Sequence, residues 1–588
     1  ATINGVSVGK GANSVAGNTV LGEGALDASV SGGDNTAVGK NALTSNTSGN
    51  NNIALGSGAL DDNTTASDNV AIGKNALGAN TTGTLNIGIG SLAVDANTSG
   101  EQNIGIGYRS LSANSTGGNN IAIGIDALKV NTTASNNTAI GYNSLKSNTT
   151  GTQNVAVGAF ALDANTTANN NTAVGYLSLS DNTTGTGNTA LGRLALVANT
   201  TANDNTAIGL NSLATNTTGA NNTAVGANAL DSNTTGNGNT GIGRVSLDAN
   251  TTGSRNTAIG AESLLNNTTA SDNTAIGKDA LKTNTTGEQN VAVGSLALDA
   301  LTTADHNTAV GYNSMSDTTT GSENTAVGQG SLGTNTTGSN NTAIGHAALV
   351  LNTTASNNTA VGKDALFNNT TGSHNTAIGL QALDANQTGE KLTAVGSNAL
   401  GANTASQNTA MGYFALSNNT TGDLNTAIGV QAMHINTTGA NNTAIGHFAL
   451  DANTTASNNT AIGRQSLTSN TTGAANTAVG LNSLQSNTTA SNNTAVGQSA
   501  LQLNTTGTSN VAVGALALDA NTTASNNTAV GQSALTANTT GASNTAVGAF
   551  SLTSVTTGEQ NSAVGRGALS DNTGSSNTAV GYNALTSN

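Results

Sequence analysis

Five histidines, His306, His346, His374, His434 and His447, are the side chains best suited to hold a metal or move a proton. The 588 residues fall into a seventeen-residue period. On it His346 and His447 share one position six repeats apart, His306 and His374 share another, and His434 stands at a third. Six repeats at the strand stacking distance come to roughly 29 Å, so same-position pairs are beyond ligand reach and the histidines read as solvated turn residues. The 30 acidic residues form no Gly-Gly-x-Gly-x-Asp calcium pattern. Gly-rich runs such as "GIGIG" lack the strand–loop–helix context of a phosphate cradle. No nucleophile–base pair stands out, so the expectation is no catalytic residue, no metal and no cofactor.

Two other residue classes invite chemistry. "NTT" matches the N-glycosylation acceptor in most repeats, although a stacked turn explains the same residues. The aromatic side chains are the remaining candidates, for binding to a surface or glycan receptor. Tyr108, Tyr142, Tyr176, Tyr312, Tyr413 and Tyr582 all fall at position 6, counting from the Asn of "NTAVG", and Phe160, Phe414, Phe448 and Phe550 fall at position 7. Sparse and irregular, they read mainly as decoration of outward-facing turns.

The elements that would carry these residues follow from the period. Gly at position 5 recurs from Gly22 to Gly581 and marks 34 units. The spacing drops to sixteen only within Gly401–Asn408 and Ser570–Asn577, and each time the loss falls in the Asn-Thr-Thr segment. Length changes collect in turns, so Asn-Thr-Thr reads as a turn, and "NTAVG" and the "AL" segment read as two short strands. Position 4 is always Val, Ile, Leu or Met, position 3 is nearly always Ala or Gly, and position 9 is Leu with rare exceptions. Strand neighbours point to opposite faces, so each strand carries one bulky and one small face. Spacing alone leaves open which of the two lines the interior. Leu392 replaces Asn at position 1, and Leu301 and Val555 replace it at position 12. An apolar substitute suits a site where water is scarce, so these asparagines are expected to stack as a semi-buried ladder.

Composition narrows the class. The chain has no Trp, Pro or Cys, only 2% aromatic residues and 74 Gly, which argues against a thick globular core. Its net charge of −15 includes no basic stripe, so a nucleic-acid partner is not expected. No apolar run reaches the roughly 20 residues of a spanning helix. The opening "ATINGVSVGK" lacks a signal-peptide pattern, so a leader is already gone or the chain is a piece of something longer. The fold expected is an all-β parallel β-solenoid of about 34 coils, with a short leading coil over 1–17 and continuous repeats over 18–588. A single coil cannot offset its own ordering entropy, so stability must come from stacking, into a rod on the order of 160 Å long.

"NTAVGKNAL", "NVAIGKNAL" and "VSVGKGANSVAGNTVLGEGAL" resemble the left-handed parallel β-roll repeats of trimeric autotransporter adhesin heads. The longer unit with "NTTG" is similar to repeats of phage-type tail-fibre proteins, which often end in a self-cleaving chaperone domain. The resemblance implies a homotrimer and an extracellular, cell-surface or virion location. The extra Asn-Thr-Thr turn departs from the adhesin-head unit, so no binding residue is carried over. The function expected is the shaft of a fibre, with self-association as the partner interaction. Adhesion through the tyrosines and phenylalanines is the second reading. Ice binding by threonine rows is the third. It is weakened because the threonines at positions 13 and 14, such as Thr285 and Thr286, are adjacent in a turn, and because position 2 sometimes changes to Ile or Val.

Overall fold

The computed structural model describes residues 2–4 and 6–587. The chain divides into two compact units, Ala1–Ala292 and Val293–Asn588. Both are built from the same coil, and the coil of Asn137–Gln153 serves as the example. Its strand is Thr138–Ile140, three residues long. It pairs in parallel with the next coil, Thr138 opposite Val155, Ala139 opposite Ala156 and Ile140 opposite Val157. In the second unit Thr308, Ala309 and Val310 face Thr325, Ala326 and Val327 in the same way. This is the parallel β-solenoid that the period predicts, with each repeat set directly on the equivalent residues of its neighbour. The sixteen-residue spacings leave that register intact, with Thr393 opposite Thr409 and Ser562 opposite Thr578.

The first residues depart from the expected leading coil. Strand β1 (Thr2–Ile3) pairs antiparallel with β2 (Val6–Gly9), which pairs antiparallel with β3 (Thr19–Gly22). A parallel return needs a whole coil of chain, and the segment between Gly9 and Thr19 is shorter than that. An antiparallel reversal needs only a turn.

The second strand expected at "AL" is absent from the described coils; that segment is a chain of turns. Asn143 has φ 56° and Leu145 has φ 49°, both left-handed, and the same holds at positions 7 and 9 along the chain. A left-handed Leu costs about 1–2 kcal/mol. Burying it returns about 1.5–3 kcal/mol, and the geometry keeps its backbone bonded across the stack. Leu145 N–H donates to the Ala161 carbonyl of the next coil at 2.9 Å, while Asn143 N–H donates to the Ile125 carbonyl of the previous coil at 3.0 Å. The turn therefore does a strand's work of pairing neighbours while bending the chain around the core.

Gly141 makes the corner at φ 133°. A Cβ there would lie 2.6 Å from the carbonyl carbon and oxygen of Gly158. Position 5 is thus glycine for two reasons: a positive-φ backbone and direct backbone contact between coils.

The interior is thin. Ala139, Ser144 and Leu145 are fully buried, as are Asn137 and Asn148. The small residue of the strand and the large residue of the turn both point inward. The bulky strand residue points outward: Ile140 is 36% exposed and Leu55 46%. The two bulky positions thus face opposite ways, position 4 outward from a strand and position 9 inward from a turn, so neither single-sided arrangement of large and small residues holds.

Two asparagine ladders line this interior. Asn148 donates to Asn131 Oδ1 of the previous coil at 3.0 Å and to the carbonyl of Gly151 at 2.9 Å. Asn137 Oδ1 accepts the backbone N–H of Asn154 at 3.0 Å, and its amide donates to the same Gly151 carbonyl at 2.8 Å. Both ladders converge on the position-15 carbonyl, where the chain carries only Gly or Ala in the regular repeats. Leu301, Leu392 and Val555 are buried in the ladder positions, as their apolar character predicts.

Candidate interaction surfaces

The outward face of the strand column is the most regular surface. Positions 2 and 4 point the same way, one rank of Thr with occasional Val, Ile or Ser beside one rank of Val, Ile, Leu or Met, and neither contains a charge. Along the stack the ranks repeat about every 4.8 Å, and across the strand they stand about 6.6 Å apart. Ile242, Ile259 and Ile276 on consecutive coils are all exposed, as are Ile344, Ile378 and Ile462 in the second unit.

The threonines of the turn are engaged differently. Thr149 donates its hydroxyl to the Thr166 carbonyl at 3.0 Å, and Thr166 does the same to Thr183 at 3.2 Å. These position-13 hydroxyls close the stack. The neighbouring Asn148 amide is buried and donates twice, so it offers no open nitrogen for a glycan.

The aromatic candidates lie on the corner that follows the position-5 glycine. Tyr108, Tyr142, Tyr176, Tyr312, Tyr413, Tyr582 and Phe550 are exposed, while Phe160, Phe414 and Phe448 are half-buried. The fold brings some together. Tyr142 and Phe160 meet edge-to-face at 5.3 Å, and Phe160 meets Tyr176 at 6.3 Å. Tyr413 packs on Phe414 at 4.4 Å, with His434 beyond it at 5.6 Å, and His447 packs on Phe448 at 4.1 Å. Arg566 lies 5.8 Å from the ring centre of Tyr582, and these two share a shallow depression with Phe550. Tyr312 makes no ring contact among the described residues.

Position 10 holds a feature that composition alone does not reveal. Asp95, Asp163, Asp231, Asp248, Asp384 and Asp451 recur there, and burial pushes each carboxyl upward. Asp163 rises to about 6 through desolvation, with the nearby charge of Asp181 adding to it. The same column sets Ser417, His434 and Asp451 on three successive coils, with Ser417 Oγ 2.8 Å from His434 Nδ1. Asp451 Oδ1 has no hydrogen-bond partner. Counting His, Asp and Ser by position and then by coil would have found this row in the sequence.

Among the described residues no group of three or more His, Cys, Asp or Glu is placed to hold a metal ion, and no helix is long and apolar enough to cross a membrane. No protein-family model matches the chain and no curated protein matches it.

Proposed function

We propose that this chain is part of the shaft of an extracellular fibre, a non-catalytic spacer of a bacterial surface filament or a phage tail fibre, built from side-by-side copies of itself. The observation that carries this reading is the strand face. Coil after coil presents an uncharged Thr-x-Val or Thr-x-Ile triplet outward, with the aliphatic residue at position 4 well exposed in many of them. An exposed aliphatic rank that continues from coil to coil is the kind of surface that marks a protein–protein contact. Copies packed face to face would cover it, and the resemblance to trimeric adhesin and tail-fibre repeats makes three the expected number. Adhesin or tail-fibre identity accounts equally for the repeated coil, since both use length as the product.

Sedimentation equilibrium with negative-stain imaging tests this. The expected result is three times the 57.0 kDa chain mass in an elongated particle. A monomer at micromolar concentration removes the self-association, and a globular particle removes the shaft.

A second reading draws on the same face. Thr at position 2 stands two residues from position 4 on one strand side, so an unpartnered face would be a regular lattice of hydroxyls and methyls suited to ordered water. Thermal hysteresis of the purified protein, abolished by Thr257→Lys and Thr274→Lys together, would favour ice binding over the shaft. Its absence eliminates this reading.

A further inference from the structure

Tyr108, Tyr142 and Tyr176 occupy position 6 of every second coil. Two coils of parallel stacking separate equivalent atoms by about 10 Å. The three rings are between 45% and 49% exposed. Ile125, exposed at the same position, fills the intervening coil between the first two. Phe160, edge-on to both Tyr142 and Tyr176, fills the gap between the second and third. The result is a strip of aromatic platforms at one interval, running along the first unit.

Where the strip begins its charges are engaged with one another, Lys129 Nζ standing 4.0 Å from Asp126 Oδ1. Arg109 lies 4.7 Å over the Tyr108 ring and is paired to Asp126, with Nε–Oδ1 at 2.9 Å and Nη2–Oδ2 at 3.0 Å. The whole chain carries −15, which repels polyanions. The fitting ligand is therefore uncharged, linear and extended, with apolar faces that recur at the platform spacing. A β-1,4-linked chain of equatorial pyranoses meets these conditions. It is a flat ribbon whose C–H faces repeat with each disaccharide, a length close to two coils. An α-linked glucan coils away from such a line.

We propose that Tyr108, Tyr142 and Tyr176 form a binding strip for a neutral β-1,4-linked polysaccharide of the cellulose or chitin type. Each ring stacks on one sugar of a successive disaccharide, and Phe160 holds the last two rings upright. This goes beyond the shaft reading, because it gives one stretch of the spacer a ligand of its own.

The full chain is tested by pull-down on cellulose and on chitin particles, and by calorimetry with cellohexaose and chitohexaose, with starch as the α-linked control. Binding to either β-1,4 ligand and not to starch is expected, and the two arms identify which sugar is preferred. Tyr142→Ala should weaken binding about fivefold, and the three Tyr→Ala changes together should abolish it. The decisive variant combines Tyr142→Ala with Ala159→Tyr. It keeps the number of rings and moves one by a single coil. Position 6 tolerates many residue types, and circular dichroism verifies that the fold is kept. Loss of binding in this variant supports the spacing. Unchanged binding in it, equal binding to starch, or no binding by the unmodified chain overturns the proposal. None of these outcomes alters the sedimentation test of self-association.

Discussion

The side-chain amide of Asn148 donates to Asn131 Oδ1 at 3.0 Å, one coil away, and so ties two turns together through their interior. Its second donor goes to the Gly151 carbonyl at 2.9 Å. Asn148→Asp replaces a buried donor with a group that has none when ionised; it leaves Asn131 Oδ1 unsatisfied, while the Gly151 carbonyl keeps its bond from Asn137. A loss of about 1–3 kcal/mol is expected. Asn148→Leu should cost less than Asn148→Asp, because Leu301 and Val555 already occupy this position elsewhere. Native-state hydrogen exchange around residues 131–165 measures the difference locally, where a global melt of a long repeat array would blur it.

Val555 interrupts the same ladder, and Asn538 Oδ1 is left buried without a partner. Val555→Asn supplies the missing donor. The variant should gain about 1 kcal/mol, seen as slower exchange of the amides in 538–558. Faster exchange would mean that the lost apolar packing outweighs the restored bond.

Gly141 and Gly330 separate two uses of glycine. Gly141→Ala forces a Cβ to within 2.6 Å of Gly158 backbone atoms, at φ 133°. It should open the stack and create a protease-sensitive site near residue 141. At Gly330 the added atom meets nothing within 4 Å and φ is 64°. Gly330→Asn should be nearly neutral, since Asn tolerates the left-handed region and Asn143 holds the equivalent position at φ 56°. Limited proteolysis of both variants gives the comparison.

The position-10 carboxylates set a pH dependence. Burial raises Asp163 to about 6 from 3.8. The folded state then binds a proton more tightly than the unfolded chain does. Its favourable contribution is complete below about pH 4 and is lost as pH rises through about 6. The other raised aspartates act in the same direction. The protein should therefore melt at a higher temperature at pH 5 than at pH 7.5. Asp163→Asn should recover about 1 kcal/mol at pH 7.5, allowing for solvent screening of a half-exposed carboxylate, and should reduce the pH slope. A melting temperature that falls on acidification would contradict this.

Much of the coil was legible because identity at fixed intervals exposes each constraint many times. The invariance of Gly at position 5, the apolar replacements of Asn at positions 1 and 12, and the variability at position 6 match a corner, an interior and an outer edge. Position 7, variable too, is mostly half-buried, and at Asp126 and Asn143 buried. The "AL" segment escapes such a reading because a small–large pair imitates strand alternation. Ala139 and Leu145 are both buried, and Leu145 is left-handed, a state that propensity assigns to Leu only with difficulty. The signal lies two residues earlier. Position 7 is rich in Asn, Asp, Gln and Gly, as at Asn41, Asn75 and Asn143, and Asn, Asp and Gly are the residues that most readily adopt that conformation. The Tyr108–Tyr142–Tyr176 interval is also on view in the sequence. It disappears when residues are sorted by position within the repeat and not also by coil number, and ring contacts such as Tyr142 with Phe160 need coordinates to be seen.

The one-to-one seating of Thr138 on Val155 and Ala139 on Ala156 bears on how such a gene changes. Seventeen codons encode one self-similar layer, so unequal recombination between neighbouring copies would insert or delete whole layers without creating a misfit at the junction. Each event would add or remove about 4.8 Å of stacked strand, and selection could adjust the number of layers in discrete increments, leaving the chemistry of each layer untouched.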